Sequence, residues 1–447
     1  MKKSLTRNPW LVFSPFLLYY GYLVIKNKWP SLYGDEIRYM DFAKNLTHGF
    51  YSPFPAHINL WNGPGYPIIL MPFAALHIPD IYTTLMNAVF EYLSVVFLYK
   101  ALNRVTNHKT ALCAGLLLAL YPNALSMLPI LYTEAFSMFL VSLLIYFATL
   151  SYFKTAGKYI ILTGLVLGYL TLTKIIFGYV IIIGMLACMV MILLREQRYY
   201  YLKSAKILAV AFLVTIPYLS YTYYITGKPF YWGNSGGMSL YWMSTPYEHE
   251  YGDWKLPDLN NKQYPTMFHS AEVVTILKKN HAKELKTILN NDEIKQDALF
   301  KQQAIANIEK NPAKFIQNYF YNWARMLFNF PYSYSFQDAG ILENILIGSL
   351  TLWLSLIGIA VTWRNWRAVV FPVKITLMLT AIYLILSGAL SAYPRQLNIV
   401  IPVILFWLGF LVANMRKASL SFGDAISLDD IELSELKDIG IITGQSK

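Results

Sequence analysis

About ten stretches of this chain are apolar over the roughly 20 residues that a helix needs to cross about 30 Å of hydrocarbon. They centre near residues 10–25, 81–99, 110–127, 135–152, 159–173, 175–194, 207–225, 344–363, 370–388 and 397–415. Backbone polar groups inside a bilayer must be paired within their own segment, so such a chain is expected to fold as an all-α polytopic bundle. Composition agrees: 56% of residues are hydrophobic and 14% charged, with mean hydropathy +0.40, where a soluble domain carries about a quarter charged residues. No small-residue cleavage site follows Val24-Ile25-Lys26, so the first stretch reads as a retained helix and not a signal peptide. The two cysteines, Cys113 and Cys188, lie in apolar runs and offer no disulfide framework.

The net charge of +12 is divided unevenly. With the N-terminus in the cytoplasm, Lys2, Lys3, Arg7, then Lys100, Arg104, Lys109, then Lys154, Lys158 fall on that side. Arg195, Arg198, Lys203, Lys206, then Arg364, Arg367, then Arg416, Lys417 follow them, with Glu196 the one acid in these loops. The basic excess therefore reads as an orientation signal, not a nucleic-acid footprint. The run 66–76 is too short to cross and carries Pro67 and Pro72, so it is expected to lie in the outer interface or dip into it. Four regions result: 1–225, a transmembrane module whose first exofacial loop is 26–80; 226–342, an exofacial cap; 343–417, the last spans; and 418–447, an acidic cytoplasmic tail. In the cap, 271–290 and 297–328 carry periodic apolar positions, as expected of amphipathic helices that lie on the membrane or cover the first loop.

Ionisable groups near the outer ends of the spans are the candidates for chemistry. Asp35 and Glu36 follow the first span, in Tyr33-Gly34-Asp35-Glu36. A carboxylate there could take a proton from a hydroxyl or hold a metal, or merely complement a helix start. Glu134, in Tyr132-Thr133-Glu134, should reach a similar depth. Lys174 and Arg395 sit at exofacial span ends, where cations either snorkel or bind an anion. The Gly-rich aromatic run 231–242 suits either a sugar-binding rim or an interfacial belt. His48 and His57 share the first loop with the acids but lack ligand spacing, so no cofactor is indicated and a divalent cation stays open.

Gly34-Asp35-Glu36 with Tyr39 and Ala43, Gly63-Pro64-Gly65-Tyr66-Pro67, Tyr132-Thr133-Glu134, Leu172-Thr173-Lys174 and Tyr393-Pro394-Arg395 occur in that order. This ordered set resembles the membrane glycosyltransferases of GT-C fold that use polyprenyl-phosphate sugars, the protein O-mannosyltransferase and aminoarabinose transferase superfamily. The resemblance runs over residues 1–410. It implies an inverting transfer to a protein, lipid or glycan acceptor at the outer face, by a multi-pass protein of a bacterial inner membrane with its active site on the periplasmic side. It further implies Asp35 as the base on the acceptor, with Glu36 and Glu134 in the catalytic set. Lys174 and Arg395 would hold the donor phosphate, and Tyr39, Tyr66 and His57 would contact substrate. Where aminoarabinose transferases carry Lys-Pro-Pro, this chain has Gly63-Pro64-Gly65, and no lumenal sugar-recognition domain like that of eukaryotic mannosyltransferases fits within it. A transporter or flippase, or a surface-polysaccharide polymerase or ligase, is the alternative. Against the first, the polar features gather at span ends instead of the midplane. Against the second, the cap is nearly charge-balanced.

Overall fold

The computed structural model describes residues 8–259, 271–334 and 341–420, apart from Ala56, Thr155 and Glu196. Lys2, Lys3, Arg7 and the acidic residues of the tail lie outside them. The described residues form helices and irregular loops, with no strands. Among the described residues six helices are long and apolar enough to cross a membrane: α5 (Asp80–Val105), α8 (Glu134–Phe153), α10 (Ile176–Leu193), α11 (Arg198–Thr226), α16 (Ile341–Arg364) and α17 (Phe371–Gly388). The other four expected spans are helical but shorter or broken. They are α1 (Pro9–Val12) with α2 (Ser14–Asn27), α6 (His108–Ala119) with α7 (Pro122–Leu125), α9 (Lys158–Thr173), and α18 (Pro394–Asn398) with α19 (Ile401–Leu420). Pro122 and Pro394 begin new short helices, which is where a ring that fixes φ and lacks an N–H is tolerated.

Two further helices belong to the first loop. α3 (Asp35–Thr47) starts with two acids beside its free amides, and α4 (Gly65–Ala75) is the short apolar run of the first loop. α4 packs on α3 and α9 with Tyr66 and Leu70 buried. The cap consists of α12 (Gly236–Met243), α13 (Ala271–Leu289), α14 (Glu293–Lys310) and α15 (Pro312–Phe328). The periodic stretch 297–328 is thus two helices, because Asn311-Pro312 ends one and opens the next. The cap covers the first loop: the Leu60 amide donates to Asn234 Oδ1, while Asn234 Nδ2 and the Ser235 hydroxyl donate to the Ile58 and Trp61 carbonyls. Its own core gathers Tyr241, Trp242, Leu277, Leu285 and Phe300.

Small residues set the closest approaches in the bundle. A Cβ on Gly164 or Gly168 of α9 would lie 2.5 Å from Val210 or Val214 of α11. In the first loop, a Cβ on Gly63 would meet the Leu172 carbonyl oxygen at 2.0 Å, and one on Gly65 the Thr173 hydroxyl at 2.5 Å. Tyr169 completes the joint by donating to the Gly65 carbonyl, 2.9 Å. Gly63→Ala is therefore expected to push the first loop off the end of α9 and lower Tm, an overpacking cost of about 1–3 kcal/mol. A melting curve unchanged from wild type would show that the loop is free to yield. Glu91, inside α5, is wholly buried with neither carboxyl oxygen hydrogen-bonded.

Candidate active site

The site lies where α3, the first loop, the turn before α8, and α18 meet. Gly34 takes φ +58°, a left-handed conformation open to glycine at little cost, and turns the chain so that Asp35 becomes the first residue of α3. One Asp35 oxygen lies 3.1 Å from Arg38 one turn along, and the other 3.2 Å from Arg395, 360 residues later in the chain. Burial opposes ionisation of Asp35, but Arg395 and Arg38 outweigh it and hold the carboxyl below its usual range.

Both arginines are fixed in place. Arg38 stacks over Trp61, 4.5 Å from the ring centroid, and donates to Asn62 Oδ1 at 3.2 Å. Arg395 lies 5.3 Å from the Tyr132 ring and 5.9 Å from that of Tyr393. Tyr393 caps α18 reciprocally with Gln396, and its hydroxyl accepts from the Trp254 amide of the cap at 2.8 Å. Burial disfavours the charge on Arg395, yet the nearby Glu134 and Asp35 carboxylates raise its pKa above the ordinary arginine value. A third of the Arg395 side chain remains exposed, so the guanidinium is accessible to a ligand.

Asp35, Arg38 and Trp254 separate two cavities. One, about 780 Å³, continues past Arg395, Tyr132, Asn123 and Ser126 toward the bundle. Glu343 is a second carboxylate on its wall. The other, about 930 Å³, passes Asp41, Lys44, His57 and Asn59. Below the first cavity, an apolar groove of about 710 Å³ runs between α6, α16 and α19, and Pro122 lines both. Exposed Leu117, Leu120 and Leu350 line the groove.

The expected site residues therefore separate into groups. Asp35 and Arg395 meet. Glu36 does not join them: it is buried, 2.6 Å from Lys28, and accepts from the amides of Tyr33 and Leu131, which ties the first loop to the turn before α8. Glu134 and Lys174 pair with each other at 2.9 Å and line neither cavity. Lys174 is thus engaged by a carboxylate instead of standing free for phosphate, although its charge still acts on Asp35. Tyr39 and Tyr66 are buried edge to face, 5.4 Å apart, and form the packing behind α3. His57 lines the second cavity, is largely exposed, and lies 3.2 Å from Glu293. Arg38 and Trp254 are additions that the motifs do not mark. Among the described residues no three His, Cys, Asp or Glu side chains converge to hold a metal. Flanked by two guanidinium groups, Asp35 is a poor ligand for a dication.

Residues 63–221 match the family model of dolichyl-phosphate-mannose-protein mannosyltransferases. An oligosaccharyltransferase of Archaeoglobus fulgidus, solved with zinc and sulfate, is 15% identical; the match covers 92% of this chain and 50% of that one, with TM-score 0.51. The chain has a GT-C fold. A second structure, the archaeal oligosaccharyltransferase AglB from Archaeoglobus fulgidus with an inhibitory peptide and a dolichol-phosphate, is 14% identical, covering 96% and 54% at TM-score 0.48. ArnT from Cupriavidus metallidurans bound to undecaprenyl phosphate is 13% identical, covering 92% and 79% at TM-score 0.39. This GT-C chain spans about half the length of the oligosaccharyltransferases. No curated protein matches it.

Proposed function

We propose that this protein is an inverting glycosyltransferase that moves a sugar from a polyprenyl-phosphate donor to a hydroxyl acceptor at the outer face of the membrane. The observation that carries the reading is the meeting of Asp35 with Arg395 at the wall between two cavities, one of which shares Pro122 with an apolar groove. The match of residues 63–221 to a family named for a dolichyl-phosphate sugar donor supports the donor class. The basic loops at the opposite end of the bundle support the outer-face placement.

In this reading the donor's hydrocarbon lies between α6, α16 and α19, and its phosphate reaches Arg395 in the first cavity. The acceptor enters by the second. An Asp35 oxygen takes the acceptor's O–H proton as that oxygen bonds to the sugar's anomeric carbon. The bond from that carbon to the phosphate oxygen breaks on the opposite face, its electron pair stays on the phosphate, and Arg395 stabilises the charge. Donor phosphate competes with Asp35 for Arg395, so donor binding frees the base that the reaction needs. Glu134, paired with Lys174, is a positioning residue in this scheme, as is Arg38.

The groove assignment is tested with donors of two lengths. Leu117→Trp or Leu350→Trp is expected to raise KM for a long polyprenyl-phosphate sugar about tenfold, corresponding to ~1.4 kcal/mol of lost tail contact. KM for a short-chain analogue should not change. Equal effects on both donors, or none on either, would remove the tail from the groove.

A further inference from the structure

At the end of the bundle opposite Asp35, α1, α5 and α8 enclose a cleft of about 350 Å³ that plays no part in the chemistry above. The direction of the helices places it there. α2 runs away from it toward Lys28 and the Glu36 contact, and α5 begins near the site, where Asn87 holds the Leu128 and Ile130 carbonyls, and ends at Lys100 and Arg104.

The cleft is a built one. Asn8 caps α1 by accepting from the Trp10 amide, Tyr92 donates to the Trp10 carbonyl at 2.7 Å, and the indole packs against Tyr92 and Phe97, with ring centroids 6.2 and 6.0 Å away. The Lys100 ammonium is turned in among three rings, 5.1 Å from Trp10, 5.3 Å from Phe97 and 5.2 Å from Tyr146. A lysine that only snorkelled would extend into water. Arg104 stands one turn along, exposed, and its charge acts on Lys100. Among the described residues neither cation has a carboxylate partner. Two like charges held together without a counter-charge repel, and an anion between them would turn that repulsion into attraction.

We propose that this cleft binds the phosphate of an anionic phospholipid. Lys100 supplies a point charge and Arg104 a planar fork for two phosphate oxygens. The Asn8 and Asn103 side chains line the same cleft and can hydrogen-bond a hydroxylated headgroup. Trp10 and Tyr146 offer ring faces at the depth where headgroup meets acyl chain. Basic pockets between membrane helices bind anionic headgroups in this manner.

The test uses the full-length protein in detergent, with phosphatidylglycerol and phosphatidylcholine as probes and native mass spectrometry as readout. Wild type is expected to bind phosphatidylglycerol at least about tenfold more tightly, a difference of ~1.4 kcal/mol. The double variant Lys100→Gln/Arg104→Gln should lose that preference. Lys158→Gln, at another cation beside a ring, should keep it. Absence of headgroup preference in wild type, or an equal loss in Lys158→Gln, overturns the proposal. Should the double variant fail to fold, Arg104→Gln alone decides: an unchanged preference overturns the site. The readout does not involve sugar transfer, so it stands or falls separately from the catalytic reading.

Discussion

Asp35→Asn is expected to lower sugar transfer by a factor of about 10²–10⁴, the usual contribution of a positioned general base. The amide keeps the volume of the carboxylate and its one oxygen can still accept from one of the two arginines, which hold different oxygens of Asp35, so the protein should be produced and melt close to wild type. Breaking two partly exposed ion pairs removes little stability. The measurement is the initial rate at which polyprenyl phosphate is released from labelled donor in the presence of acceptor. Donor affinity, measured separately, should not fall, since a neutral residue 35 leaves Arg395 freer for phosphate. Transfer within tenfold of wild type would remove Asp35 from the base role.

Arg395→Ala should act on the donor and on the pH profile together. Loss of a charge-assisted contact to phosphate is worth about 1.5–3 kcal/mol, or roughly 10- to 100-fold in donor KM. Arg395 is also the largest of the charges holding the Asp35 carboxyl below its usual range. In wild type Asp35 therefore stays ionised as pH falls through that range, and activity is expected to fall only below it. Without Arg395 the Asp35 pKa rises, so the acid limb of the rate profile must move to higher pH. Arg395→Lys should restore the limb more fully than the donor KM, because an ammonium keeps the charge without the planar fork. An unmoved limb together with a changed acceptor KM would place Arg395 on the acceptor side.

Part of this arrangement is legible in the sequence. Asp35 and Arg395 carry their charge at span ends in a chain with few ionisable groups there, and the structure joins them across 360 positions. Pairings were harder to read. Nothing in Leu172-Thr173-Lys174 reveals that the lysine is committed to Glu134, because the contact crosses 40 residues and two helices. Glu36 shares the position in sequence that makes Asp35 conspicuous, but the next residue of a helix points elsewhere, and it ends in a structural knot with Lys28. Arg38 could have been found by helical spacing from Asp35. Trp254 could not, since it lies in an irregular segment of the cap. Hydropathy located the apolar helices but ran across their breaks: 110–127 and 397–415 divide at Tyr121-Pro122 and after Asn398, and the proline of the first pair was the available signal.

The partition of Asp35, Arg38 and Trp254 also bears on the order of events. A covalent sugar-enzyme intermediate would let donor and acceptor use one chamber in turn. Separate chambers on the two sides of a single carboxylate instead suit both reactants being present at once. Initial-rate plots against either substrate at fixed levels of the other should then intersect, as for a ternary complex, and not run parallel.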